Sequence, residues 1–155
     1  MTQPLVTIPL PEAERQALSV KWSNHPAMRH MGARADFTDP DAVRLVIDPV
    51  QPHHRGGLGT EAVNGAVIAG LLDVAVGAVG HFQAIGQRAG TAQLSIQFLR
   101  PVLGNRVTAV ARLVRAGQTL VFATAHVEDE QGKVCARCEG IVAVSRAPGG
   151  LGLAV

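Results

Sequence analysis

The sequence predicts an α+β fold, a strongly curved antiparallel sheet wrapped around one long central helix. Three observations lead there. Residues 62–87 carry one charged side chain, Asp73, in a run dominated by Ala, Gly, Val, Leu and Ile, and a helix that is apolar all round is a buried one. From residue 90 to residue 145 the chain divides into strand-like runs separated by short turns, and an amphipathic strand has one face that needs cover. At 155 residues the chain is long enough for one domain with a full core, and a single apolar helix under a curved sheet satisfies both elements.

The elements follow in order. Residues 11–31 read as helical, with Ala13, Leu18 and Trp22 near helical spacing; Pro26 interrupts, and His25 caps or turns the chain there. Residues 33–48 read as extended, with a turn at Asp39-Pro40-Asp41. Residues 51–60 are a loop rich in Gly and His, and the central helix runs from about Ala62 to about Gly80. In residues 90–99 the alternation puts Ala92, Leu94, Ile96 and Phe98 on one face and Thr91, Gln93, Ser95 and Gln97 on the other. Arg100-Pro101 ends that strand. Further strands are expected over 106–115, 119–128 and 133–145, joined by turns at Leu103-Gly104-Asn105, Gly117-Gln118 and Asp129–Gly132. The divisions are a helical extension over 1–33, the main domain over 34–146 and a flexible Gly-rich tail over 147–155.

Composition excludes several classes. The net charge is +2, the charges are mixed in sign, and the aromatics are four Phe, one Trp and no Tyr. A nucleic-acid surface would combine a basic stripe with stacking rings. The first residues lack a basic run followed by an apolar core, so no secretion signal is read. Cys135 and Cys138 have no second Cys or His pair to complete a zinc site, and two reduced thiols fit a cytoplasmic protein. A membrane span over 62–80 is disfavoured by the central Asp73 and four glycines.

Asp73 is the residue that most needs a reason. A carboxylate in an apolar helix is costly to desolvate unless something compensates. It is either a catalytic group or a structural Asp bonded to a nearby donor. His53 and His54 either edge a site mouth or are solvated. His81 suits the helix C-terminal dipole, and Glu61 suits the N-terminal one. Arg100 and Arg115 either meet phosphates or are solvated strand ends. The glycines of Gly56-Gly57-Leu58-Gly59 permit close approach of a ligand or of backbone, and no Lys follows them as a phosphate loop requires.

The run Asn64-Gly65-Ala66-Val67-Ile68-Ala69-Gly70-Leu71-Leu72-Asp73 resembles the His-Gly-Gly…Leu-Ala-Asp signature of the PaaI-like hotdog thioesterases. The run from Gly90 to Pro101 is similar to their following strand, and the resemblance covers about residues 34–145. It implies the hotdog fold and hydrolysis of acyl-CoA thioesters by a homodimer or homotetramer with active sites at the subunit interface. It implies Asp73 as general base or nucleophile, with the Gly65 N–H holding the carbonyl oxygen at a helix start. Thr91 matches a position where some members place a hydroxyl opposite the carboxylate; a β-propensity Thr is the alternative. His54, Gly57 and Arg100 are the substrate-binding candidates. CoA enters as part of the substrate, and no metal or separate cofactor is implied. Two departures stand out. Asn64 replaces the signature His, and Ala66 replaces its second Gly. Asn64 either polarises the thioester or holds water, with Thr60 as helix cap, or is itself the cap. A helper amide that some relatives carry would fall near Leu58, which has none. Two other functions remain. A hydratase or dehydratase would want a His beside the carboxylate, and a non-catalytic acyl-CoA binder would fit the lost His.

Overall fold

The computed structural model describes residues 5–56, 59 and 61–145. Gly57, Leu58, Thr60 and the tail from 147 onward lie outside the described residues.

Pro26 splits the N-terminal helical region into α1 (Glu12–Ser23) and α2 (Pro26–Met31). His25 caps α2 by accepting the Ala27 N–H on Nδ1 at 3.3 Å, and Gly32 closes the helix in the left-handed region at φ 64°. Strands β1 (Ala33–Asp36) and β2 (Val43–Ile47) flank the expected turn, where Asp39 Oδ1 takes the Asp41 N–H at 2.8 Å. A short 3-10 turn at Pro52–His54 leads towards α3 (Gly65–Gln83). Four strands follow: β3 (Arg88–Phe98), β4 (Val107–Ala116), β5 (Leu120–Glu128) and β6 (Val134–Ser145).

All neighbouring strands are antiparallel, in the order β1-β2-β4-β5-β6-β3. The strand that leaves the helix therefore crosses to the far edge of the sheet. Helix α3 lies against β2 through β6. Its Ile68, Leu71, Leu72, Ala75, Val76, Val79 and Phe82 form the centre of the core. Two glycines set the closeness of this contact: a Cβ on Gly80 would fall onto Val142, and one on Gly140 onto Val76. Cys135 and Cys138 are both buried free thiols, and burial pushes both pKa values up.

Three expectations need correction. Helix α3 begins three residues later than Ala62, because Asn64 rather than an earlier residue ends the loop. The helix is also not buried all round: Ala66 and Asp73 are exposed, and Val67, Gly70, Val74 and Gly77 are only partly covered. A sheet curves around one side of a helix and leaves the other side open. Although α3 is long and apolar enough to cross a membrane, its apolar residues are engaged by the sheet. The third correction concerns β3. Its pairing with β6 shifts register between Thr91 and Gln93, so Ala92 is an extra residue in the ladder. The simple alternation breaks there. Thr91 shares the inward face with Leu94 and Ile96 rather than lying opposite them.

The two sheet edges are treated differently. Along β1, α1 supplies the missing partners. Ser23 and Ser19 hydroxyls accept the N–H groups of Ala35 and Phe37, each at 2.9 Å, and the Arg15 guanidinium donates to Phe37 O and Thr38 O. Trp22 then packs edge-on against Phe37 at 5.4 Å, and Phe37 against Phe82 of α3 at 4.9 Å. Along β3 no element covers the outer edge among the described residues.

Candidate active site

The site begins at the start of α3. Asn64 Oδ1 accepts the Ala66 N–H at 2.8 Å, and its Nδ2 donates to Gly56 O at 3.2 Å. The Asn64 carbonyl takes the N–H groups of Val67 and Ile68. Gly65 is left as the first-turn N–H with no hydrogen-bond partner among the described residues. A free helix-start N–H with the helix dipole behind it suits a negatively charged oxygen. Residue 65 has no side chain to screen that group, and the Phe98 ring stands 3.6 Å from where a Cβ would be.

Beside this N–H is an open cleft of about 320 Å³ whose lining includes Gly65, Ile68, Phe98, Leu99, Arg100 and Val102. The structure thus brings Gly65 and Arg100 together on a mainly apolar hollow. Phe98 was not singled out from the sequence, although it is 57% exposed here. Its position at the end of an alternating run marks it only as core-facing; its proximity to Gly65 depends on the crossover of β3. A larger hollow of about 410 Å³ lies on the outer face of the sheet, around Ser95, Gln97, Thr124, Arg137 and Glu139, and no α3 residue lines it.

Asp73 projects from the open side of α3 and makes no hydrogen bond or ion pair among the described residues. Its charge helps to raise the pKa of the Cys138 thiol on β6, after burial. One turn further along, the space above Gly77 is taken by the Thr91 hydroxyl, 3.5 Å from where a Cβ would be. Residues four apart share a helix face. The bulge at Ala92 therefore brings the Thr91 hydroxyl to the face of α3 that carries Asp73.

Two candidates are redirected by their surroundings. His54 is buried; its Nδ1 lies 2.9 Å from the Gln51 N–H and its Nε2 lies 2.8 Å from Met31 O. Both ring nitrogens are occupied, so His54 pins the loop to the end of α2 and has no polar atom for a substrate. Asn64 is the helix cap, with both ends of its amide engaged. The expected cap Thr60 and the expected contact Gly57 both lie outside the described residues.

One distance constrains any chemistry. Gly65 and Asp73 are eight residues apart on one helix, roughly 12 Å along its axis at 1.5 Å per residue. A single thioester carbonyl is too small to meet both groups of one chain.

The comparisons with known proteins agree on the class. The thioesterase superfamily model matches residues 61–136. A Salmonella typhimurium protein named medium/long-chain acyl-CoA thioesterase YigI is 34% identical, over 52% of this chain and 61% of that protein. Its Escherichia coli K12 counterpart is 33% identical, over 68% of this chain and 77% of that protein. Among solved structures, a Haemophilus influenzae thioesterase superposes with a TM-score of 0.76 at 19% identity, covering 91% of this chain and 94% of that one. The Escherichia coli PaaI protein from the phenylacetic acid degradation operon gives 0.74 at 18% identity, covering 89% and 99%. At such identities the two structures speak for the fold alone. The chain belongs to the thioesterase superfamily, a family of hydrolases, and has the hotdog fold.

Proposed function

We propose that this protein hydrolyses acyl-CoA thioesters at a site shared by two copies of the chain. The observation that carries the reading is the unpartnered Gly65 N–H opening onto an apolar cleft in a thioesterase-family fold. The names of the curated relatives favour medium to long acyl groups, and Ile68, Phe98, Leu99 and Val102 suit such a chain. Arg100 at the cleft rim suits the phosphates of CoA.

The chemistry runs as follows. Asp73 of one subunit takes a proton from water as the oxygen attacks the thioester carbon. The negative charge that develops on the carbonyl oxygen is held by the Gly65 N–H of the other subunit. Collapse breaks the carbon–sulfur bond, and the proton on Asp73 passes to sulfur, giving a carboxylic acid and free CoA. Direct attack by Asp73, forming an anhydride that water then opens, uses the same groups. Thr91, on the Asp73 face of the helix, orients the water or the carboxylate.

Two features support a second copy. The axial separation of Gly65 and Asp73 requires one if both act on the same carbonyl. The uncovered β3 edge, with Phe98 and Leu99 exposed at its end, is a strand ready to pair with its symmetry mate.

Hydration or dehydration fits less well. The histidine that follows Asp73 on α3 is His81, two turns further along, with its ring against Trp22 at 5.8 Å and Phe82 at 5.7 Å. Thiol release from a panel of saturated acyl-CoAs of increasing length tests the proposal. Steady turnover that peaks at medium or long chains is expected. Tight acyl-CoA binding without thiol release would replace hydrolysis with a binding role.

A further inference from the structure

Arg55, in the loop before α3, is joined to three acceptors. Its Nη1 donates to Glu61 O at 2.6 Å; its Nη2 donates to Gly104 O and to Asn105 Oδ1, each at 3.1 Å. Asn105 is itself anchored, since its N–H donates to Glu130 Oε2 at 3.0 Å and its carbonyl accepts the Val50 N–H at 2.7 Å. A chain of contacts thus runs from the β5–β6 turn, through the turn before β4, to the backbone just ahead of the central helix.

The acceptor at the end of that chain is a particular one. In an α-helix each N–H bonds the carbonyl four residues earlier, so Glu61 O is the group that would capture the Gly65 N–H if α3 were wound back by one turn. Several contacts oppose that rewinding, among them the Val63 N–H on Val102 O at 3.0 Å and the Gly56 N–H on Ala62 O at 3.1 Å. Asn64 stays extended as the cap, with its own N–H on His54 O at 2.7 Å. Arg55 holds Glu61 O in the fork of its guanidinium. A planar fork can serve acceptors on separate turns at once, whereas a Lys ammonium is a point donor on a flexible stem.

We propose that Arg55 is a positioning residue for the Gly65 N–H: by binding Glu61 O it keeps that N–H free and aimed into the cleft. Its catalytic consequence rests on the reading of Gly65 as the oxyanion donor. Arg55 does not touch the reacting atoms, so a Gly65 amide signal tests it more directly than turnover does.

The experiment compares wild type with Arg55→Met and Arg55→Lys, using amide hydrogen exchange and chemical shifts of ¹⁵N-labelled protein alongside acyl-CoA hydrolysis and melting temperature. In wild type the Gly65 amide exchanges as an unprotected group. In Arg55→Met its shift and exchange rate should change more than those of Ala66, and kcat should fall roughly 10- to 10²-fold with KM little altered. Arg55→Lys should behave more like Arg55→Met than like wild type, and it serves as the folded variant if Arg55→Met does not fold. A Gly65 amide that is unchanged in a folded variant overturns the proposal, whatever happens to turnover or melting temperature. A changed amide with unchanged kcat leaves the positioning role standing and removes Gly65 from the chemistry.

Discussion

At His54 the Gln51 N–H points at Nδ1, which fixes the neutral tautomer with its proton on Nε2, donated to Met31 O. Protonation of Nδ1 would break the Gln51 contact, and burial already holds the His54 pKa below its ordinary value. Burial moves His81 in the same direction. With folded pKa values below the unfolded one, the neutral rings stabilise the fold fully above about pH 6.5. That stability is lost as the pH falls from there, because the unfolded chain takes up the protons first. Hydrogen bonds from Thr38 hold the Asp36 carboxyl, and Arg44 holds that of Asp39, below the usual carboxylate range, so they act at much lower pH. The melting temperature should therefore fall between pH 7.5 and 5, and His54→Gln should flatten part of that slope. A melting temperature that rises on acidification over this range would contradict the assignment. None of this was legible in the sequence, because the Met31 partner is 23 residues away. Asp73, by contrast, stood out as the lone charge in an apolar run. What the sequence misjudged was its setting: in the single chain it faces open space, and only a second molecule would enclose it.

The elements themselves were largely legible, since alternation and turn residues are local signals. Pro26, Asp39 and Gly132 punctuate the chain where the sequence says they should. Beyond local reach lay the order of the strands and the Ala92 bulge. Strand-period reasoning put Thr91 opposite Leu94; one extra residue in the ladder reverses that, and bulges cluster beside active sites for this reason. The start of α3 shows how one residue type carries two readings. An Asn is both a good cap and a good amide donor, and the surrounding loop decides between them. Because Asn64 Oδ1 holds the Ala66 N–H, Asn64→Ala should cost about 0.5–2 kcal/mol. At this chain length that is a melting temperature lower by a few degrees. Asn64→Asp, which keeps the accepting oxygen, should recover much of the loss. An unchanged melting temperature for Asn64→Ala would mean that the cap contributes nothing to the helix start.

For the whole molecule, the two sheet edges differ. One edge is sealed by Ser19, Ser23 and Arg15 of α1; the other, β3, carries Thr91 and ends at Phe98, two residues before Arg100. The groups proposed for chemistry lie beside the open edge, on the open side of α3, and one copy holds them too far apart to cooperate. A two-fold dimer joined through β3 would bury that edge and bring Asp73 of one chain to the cleft of the other. Sedimentation at micromolar concentration should show a dimer or a multiple of it. A monomer that hydrolyses acyl-CoA at full rate would rule out the shared site.

The measurement that bears most directly on the whole reading is turnover of Asp73→Asn. The substitution nearly preserves shape, and Asp73 makes no hydrogen bond or ion pair that the change would remove among the described residues. The melting temperature should therefore stay close to that of wild type. With the base removed, kcat for the best acyl-CoA should fall on the order of 10²-fold or more. Nearly full turnover in a folded Asp73→Asn protein would contradict the account, because the carboxylate would then have no part in the chemistry.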